Sequence, residues 1–439
     1  MLEFFQVPTY LSEAYLQLAL SLNYLAKKTV SMWGCPLKRR KKFNMKILFC
    51  HDHIFKEYEG EYYSPGKISI EQMESYQSLG DNITIVARSN KVTSLDSSKH
   101  NQITHNRVSF CAFPNASNFK SLILRKELLK KAIKIASQYD IIIARLPSEI
   151  GSIFAQAGRK LNKPVLIEVV ACVWDNLYYF GTIKAKLYAP LAYVRMRNLV
   201  KQADFVHYVT SSFLQKRYPT KKGALTLSAS DVILSTVSNS QRNLKKNNEI
   251  SIGVVGSMDN KIKGISLAIK AVKILSNSTN EKITLHIIGP GDKKKYQNLA
   301  SRLNLLENIN FVGSLSDSKA VQKYLNEYID IYIQPSYQEG MPRAVLEAMS
   351  CGIPCIVSCA GGMPEIISSD YVHAKGDYKQ LAHLIKKISS SEKIYRQESE
   401  KNHLLANKFS HERLIYKKNK FYNLIKDRIS EGSVYYNKS

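Results

Sequence analysis

Short apolar runs rich in valine and isoleucine alternate along this chain with longer segments whose apolar positions recur every three or four residues. The first kind reads as buried strand and the second as amphipathic helix. From residue 46 the pattern predicts strand 46–50, helix 68–79, strand 82–87, helix 119–137, strand 141–144 and helix 151–161. Strand 164–170, helix 183–201 and strand 205–210 complete a first series. A polar stretch at 238–248 then reads as a linker. The second series comprises strand 250–255, helix 265–275, strand 283–288, helix 296–303, strand 309–312, strand 330–334, helix 343–349 and strand 354–357.

Regular alternation of strand and helix implies parallel strands joined by right-handed crossovers. Two such series imply an α/β protein of two Rossmann-like domains facing one another across a cleft. The expected boundaries are a basic extension at 1–44, a first domain at 45–237, a linker at 238–249, a second domain at 250–405 and terminal helices at 406–439. A length of 439 residues agrees with two cores.

The densest chemistry lies between Gln334 and Pro354. The strand at 330–334 runs into a turn, Gly340-Met341-Pro342, with Pro342 suited to the first helical position. Strong helix formers follow from Arg343, and Gly352 and Pro354 stop the helix. Unpaired backbone N–H groups from Gly340 to Arg343 would thus face the end of a strand, a place for a diphosphate. Glu339 stands beside that place, and Glu347 lies within the helix. Two acceptor-only carboxylates next to an anion site suit a ligand carrying both hydroxyls and phosphates. A surface helix with two solvated glutamates is the plain alternative.

This segment resembles the Glu-x7-Glu motif of the retaining, family 4 (group 1) nucleotide-sugar glycosyltransferases, which have the GT-B fold. The resemblance implies that Glu339 lies against the donor sugar and that Glu347 binds the ribose hydroxyls. Gly253-Val-Val-Gly256, followed by Lys263-Gly264, is similar to the family's glycine, arginine and lysine segment, whose two cations hold the donor diphosphate. Lys263 matches the second cation. Ser257 stands where the arginine is expected, and Lys261 is the nearest substitute.

Gly289-Pro-Gly291 resembles the family's strand-to-glycine turn, and Phe311-Val-Gly313 the segment whose backbone meets the base. Ala360-Gly-Gly-Met-Pro-Glu365 resembles a cleft-lining turn. The likeness therefore runs from about 252 to 367. It implies a UDP- or GDP-sugar as donor, bound through Glu347, Gly256, Ser257, Gly340, Met341, Pro342, Gly289 and Gly313, with Glu339 and Lys263 catalytic.

In the first half, the segments 144–151 and 163–175 resemble bacterial surface-polysaccharide glycosyltransferases, which makes Glu168, Trp174 and Asp175 acceptor-side candidates. For Trp174 a core position is an equal alternative. His51-Asp52-His53, after the first strand, reads as a solvated or acceptor-lining loop rather than a metal site, for want of further ligands. His51 is therefore a fourth acceptor-side candidate. No two aspartates are two apart, so the Asp-x-Asp metal motif of the other major glycosyltransferase fold is absent, and no metal or other cofactor is expected.

Seven irregularly spaced cysteines argue against a disulfide framework and favour a reducing cytoplasm. The net charge of +27 is spread along the chain: +5 in 1–44, +11 in 45–235 and +11 in 236–439. Without a nucleic-acid-binding motif, this favours an anionic membrane surface over nucleic acid. No apolar run is long enough to span a bilayer, so the expected location is cytoplasmic, peripheral on the inner face of the plasma membrane. Two basic amphipathic segments, around Lys120–Lys134 and Lys184–Lys201, would serve either as packed helices or as lipid-facing ones.

The sequence thus reads as a glycosyltransferase acting on a lipid-linked glycan acceptor. The alternatives are a GT-B nucleotide-sugar epimerase or hydrolase, or a catalytically weak nucleotide-sugar-binding scaffold, which Ser257 favours. A dehydrogenase is disfavoured because no Gly-x-Gly-x-x-Gly follows either first strand.

Overall fold

The computed structural model describes residues 45–64, 68–96, 100–117, 123–180, 182–232, 234, 242–244 and 248–432. The extension at 1–44 and most of the linker at 238–249 lie outside the described residues, as do Lys120 and Leu122 of the first basic segment.

The first half contains β1 (Lys46–Tyr58), β2 (Glu61–Ser64), α1 (Ile70–Glu74), β3 (Asn82–Lys91), β4 (Asn101–Gln102), β5 (Val108–Ala112), α2 (Arg125–Ala136), β6 (Ile141–Leu146) and α3 (Glu149–Lys160). It continues with β7 (Val165–Val169), α4 (Val173–Phe180), α5 (Ile183–Gln202), β8 (Phe205–Tyr208), α6 (Phe213–Arg217) and β9 (Leu225–Ser228). The second half runs β10 (Glu249–Val255), α7 (Ile265–Ser276), β11 (Lys282–Ile288), α8 (Lys294–Arg302), β12 (Ile309–Gly313), α9 (Ser318–Tyr328), β13 (Ile331–Gln334), α10 (Arg343–Ser350), β14 (Cys355–Ser358) and β15 (Val372–His373). Three helices close the described chain: α11 (Tyr378–Ser389), α12 (Glu392–Ala406) and α13 (His411–Ser430).

Both halves are Rossmann-like. The parallel strands of the first sheet lie in the order β5-β3-β1-β6-β7-β8-β9, with the β2 and β4 antiparallel strands added beyond the end of β1. The second sheet has the order β12-β11-β10-β13-β14-β15, all parallel. In each sheet the strand order reverses beside the first strand, between β1 and β6 and between β10 and β13. Loops on either side of such a reversal diverge and leave a crevice at the carboxyl ends of the strands.

Several elements depart from the sequence pattern. The first strand does not stop at Cys50 but runs to Tyr58 through a register shift between Cys50 and Ile54. Its second part joins the β2 hairpin and is half exposed, so it lacks a continuous apolar run. Helix α1 is confined to Ile70–Glu74, capped by the Ser69 side chain, and 75–79 continue as turns. The edge strand β9 and helix α9 were not legible from apolar period, since each buries only a thin stripe.

The terminal helix α13 leaves the second half and packs Phe421, Tyr422 and Ile425 into the core of the first, against Tyr76, Phe49 and Phe205. Lys426 Nζ donates to the Ser78 carbonyl at 3.1 Å, tying the same helix to the turn after α1.

Candidate functional site

The second sheet's reversal point gathers the segments singled out in the sequence. After β10 the chain turns through Gly256 into a short 3₁₀ turn, Lys261–Lys263, capped by the Asn260 side chain. Gly264 then takes a left-handed φ of 70°, and a Cβ there would fall 2.0 Å from the Pro335 carbonyl oxygen. Only glycine permits this approach of the loop to the end of β13. The aliphatic stem of Lys263 crosses Gly256, where a Cβ would lie 2.8 Å from its Cγ. The lysine head is thereby delivered to Glu339, with Nζ 2.7 Å from Oε1.

Glu339 is also held from below. Its Oε1 accepts from Ser336 Oγ at 2.7 Å and from Gln334 Nε2 at 3.3 Å, both fully buried at the end of β13. Glu347, one turn inside α10, is only 3 % exposed. The Ser318 hydroxyl, at the start of α9, donates to its carboxylate. Burial pushes the Glu347 carboxyl up to about 7, while the Ser318 hydrogen bond and the Arg343 charge pull it part of the way back.

These groups surround a cavity of about 280 Å³, near the low end for small-molecule sites. It is lined by Val255, Gly256 and Lys263 from the end of β10 and the loop after it, by Gln334, Glu339, Pro342, Arg343, Ala344 and Glu347 from the end of β13 to α10, and by Ser318 and Val321 of α9. Pro342 is the N-cap of α10 rather than its first helical residue, and no side chain caps the helix. Its uncapped first turn borders the cavity, so the positive end of the helix faces the space.

Other sequence candidates lie elsewhere. Gly340 approaches the first half so closely that a Cβ would sit 2.1 Å from the Val170 carbonyl oxygen. Met341 packs against the cores of both halves. The Ser257 hydroxyl accepts from the Asp259 amide at 3.3 Å within its own turn. Gly289 and Gly313 are joined by a 2.8 Å backbone hydrogen bond at neighbouring strand ends. None of these five lines the cavity.

On the first half, Glu168 is buried in a charge network instead of lining an open wall. It accepts from Tyr76 Oη at 2.8 Å and Arg145 Nη1 at 3.1 Å, and lies 3.3 Å from His207 Nδ1. Burial opposes its charge, but the His207 hydrogen bond and the Arg145 charge prevail and hold it well below the usual carboxylate range. Arg145 also pairs with Asp231.

The expected solvated loop at 51–53 is part of β1 and is taken up by internal contacts. His51 Nδ1 meets the Arg145 carbonyl at 3.2 Å, Asp52 caps α3 through the Glu149 and Ile150 amides, and His53 meets Ser64 Oγ at 3.1 Å. Burial and the Arg145 charge push His51 down to about 3, leaving it neutral. Among the described residues no three His, Cys, Asp or Glu side chains group as metal ligands.

Trp174 and Asp175 stand apart from that network, on α4. Trp174 stacks on Tyr178 at 6.4 Å, meets Tyr193 edge-on, and packs against the core. Asp175 Oδ1 lies 3.2 Å from Arg217 Nη1, and its Oδ2 is buried without a partner. The same helix carries Tyr179 to the second half, where its ring meets Tyr337 at 5.7 Å and Lys375 Nζ at 4.7 Å.

The side chains of Ser318, Ser336, Arg343 and Glu365 received no role from the sequence, although the backbone of Arg343 and the turn ending at Glu365 did. An aspartate N-cap at Asp317 was the available signal for Ser318. The Glu365 carboxylate accepts from the Ser211, Ser212 and Phe213 amides of the first half at 2.6, 3.0 and 2.5 Å, and from the Ser212 hydroxyl at 3.2 Å.

Comparison with known proteins agrees with this architecture. Residues 237–404 match the family model of glycosyl transferases group 1. Protein CapJ of Staphylococcus aureus is 33% identical over 360 residues, covering 81% of this chain and 89% of that protein. The amylovoran biosynthesis glycosyltransferase AmsK of Erwinia amylovora is 31% identical over 139 residues, 30% of this chain and 34% of the relative. The crystal structure of Anabaena HepE in complex with UDP superimposes with a TM-score of 0.59 at 17% identity, covering 88% of this chain and all of that one. At that identity the likeness speaks to the fold alone. The chain belongs to the group 1 glycosyl transferases, and it is a glycosyltransferase of the GT-B fold.

Proposed function

We propose that this enzyme is a retaining glycosyltransferase that moves a sugar from a UDP- or GDP-sugar to a surface-glycan acceptor held on a lipid carrier, at the cytoplasmic face of the membrane. The observation that carries the reading is the cavity at the second sheet's reversal point, where Lys263, Glu339, Glu347 and the uncapped start of α10 converge. A nucleoside diphosphate sugar presents hydroxyls for the two carboxylates and negative charge for the lysine and helix end. The UDP in the HepE structure and the biosynthetic role in AmsK's name support the same class of substrate.

In this reading Glu339 orients the donor sugar and Glu347 holds the ribose. The acceptor hydroxyl oxygen bonds to the anomeric carbon on the face the diphosphate leaves. The carbon–oxygen bond to the β-phosphate breaks, its electron pair passes to that phosphate oxygen, and the hydroxyl proton follows it there. Lys263 and the first turn of α10 stabilise the charge as it develops. Positive charge from the protein thus serves the leaving group, and no metal is assigned a role.

The lipid-linked acceptor rests on a second feature. Helix α5 exposes Ile183, Leu187, Leu191 and Val194 at 78, 77, 62 and 53 %, a stripe at helical spacing beside Lys184, Lys186, Arg197 and Lys201. Arg125 of α2 and Arg195 of α5 both pair with Glu149 at the start of α3, so one charge from each basic helix converges beside the carboxyl end of β6. A basic, apolar surface at the cleft side of the first sheet fits an anionic bilayer. Among the described residues no helix is long and apolar enough to cross a membrane.

The test is release of nucleoside diphosphate from a panel of UDP- and GDP-sugars, with and without extracted lipid-linked acceptors, comparing wild type with Glu347→Ala. Acceptor-dependent release from one donor, absent in the variant, is the expected result. Donor binding without turnover under every acceptor would support the scaffold reading instead.

A further inference from the structure

The cavity has a charge imbalance that Lys263 does not resolve. Lys263 is already paired with Glu339 at 2.7 Å, and Glu347 adds a second carboxylate to the same walls. A bound diphosphate brings still more negative charge. Among the described residues, the other cation lining the cavity is Arg343, the first residue of α10. Its side chain is exposed and makes no hydrogen bond or ion pair with any of them.

Resting on the nucleotide-sugar reading above, we propose that Arg343 binds the donor diphosphate and supplies the positive charge that Lys263, committed to Glu339, provides only in part. Its position fits this role. Arg343 precedes Glu347 by four residues on one helix, so the two lie on the same face about 6 Å apart along the axis. That offset matches a ligand whose ribose meets Glu347 and whose phosphates extend toward the helix start. The guanidinium fork then adds to the helix-end amides, giving two independent sources of positive charge for one anion. Ser257, whose hydroxyl is turned into its own loop, contributes none.

Arg343 also acts on Glu347, because its charge favours the ionised carboxylate. Removing the arginine therefore has two separable effects. Where the guanidinium holds the diphosphate, its removal weakens nucleoside diphosphate and spares nucleoside monophosphate. Where it acts only through Glu347, both nucleotides weaken alike.

The experiment measures binding of UDP, UMP, GDP and GMP to the full-length protein by titration calorimetry at pH 8, where Glu347 is mostly ionised. Wild type, Arg343→Gln and Arg343→Lys are compared, with circular dichroism confirming that each is folded. The expected result is a drop of tenfold or more in diphosphate affinity for Arg343→Gln, with monophosphate affinity changed less than threefold. Arg343→Lys should recover part of the drop, since it keeps the charge without the fork. Diphosphate affinity within twofold of wild type in Arg343→Gln overturns the assignment alone. Equal weakening of mono- and diphosphate also overturns it and places the arginine at the nucleoside. Failure of wild type to bind either diphosphate overturns the donor reading, and the assignment with it.

Discussion

Glu347 is a carboxylate that the fold holds at a cost, and that cost is measurable. Its carboxyl is pushed from an ordinary 4.5 to about 7, mainly because α10 buries it. At 1.36 kcal/mol per pH unit the difference corresponds to about 3 kcal/mol. A group whose pKa is higher in the folded protein than in the unfolded chain retains its proton longer in the fold. The stability contributed by this group is therefore undiminished below about pH 4.5, declines as pH rises, and levels off above about pH 7. Glu347→Gln replaces the acid with a neutral group of similar shape. Its stability relative to wild type should be near zero at pH 4.5 and rise to an advantage of about 3 kcal/mol at pH 8. Urea unfolding at pH 5, 6, 7 and 8 measures this directly, using a probe in the second half. The same variant should bind donor more weakly, because the amide presents one acceptor where the carboxylate presents two. Stability and donor binding should thus move in opposite directions at pH 8. A glutamine variant whose stability difference from wild type is the same at pH 5 and pH 8 would mean that burial does not raise this carboxyl.

Three further outcomes are expected. Glu365→Ala leaves three backbone amides and a hydroxyl at the junction of the two halves without their carboxylate. Because water can reach that edge, the cost should be about 2 kcal/mol in urea unfolding, with kcat/KM falling more than donor affinity if the halves lose alignment. Leu187→Glu with Leu191→Glu should abolish co-sedimentation with vesicles of anionic lipid while leaving the thermal midpoint unchanged, since both side chains are exposed; unchanged sedimentation would remove α5 as the contact surface. Transfer activity should persist in excess EDTA, because the proposed mechanism meets the charge on the leaving diphosphate with side chains and a helix end; inactivation reversed by a divalent cation would contradict this.

Fold class and the strand and helix order of the second half were legible from the chain alone. Strand and helix periods in a parallel α/β protein are local properties, written in consecutive residues, and the turn chemistry of Gly264, Pro342 and Gly352 is local as well. The segment from Gln334 to Pro354 therefore announced both carboxylates. Which polar groups meet is a property of the packed fold. Ser318 reaches Glu347 across 29 positions of sequence, and Glu365 reaches Phe213 across 152. Glu168 was an acceptor-side candidate on the resemblance of 163–175 to surface-polysaccharide glycosyltransferases, and the fold places it in a buried network with Arg145, His207 and Asp231. Likewise Gly340 looked like part of an anion cradle, and the fold uses it to admit the Val170 backbone. Parallel crossovers bring distant strand ends side by side, and only there do burial and pairing choose between a carboxylate that binds a ligand and one that braces the core.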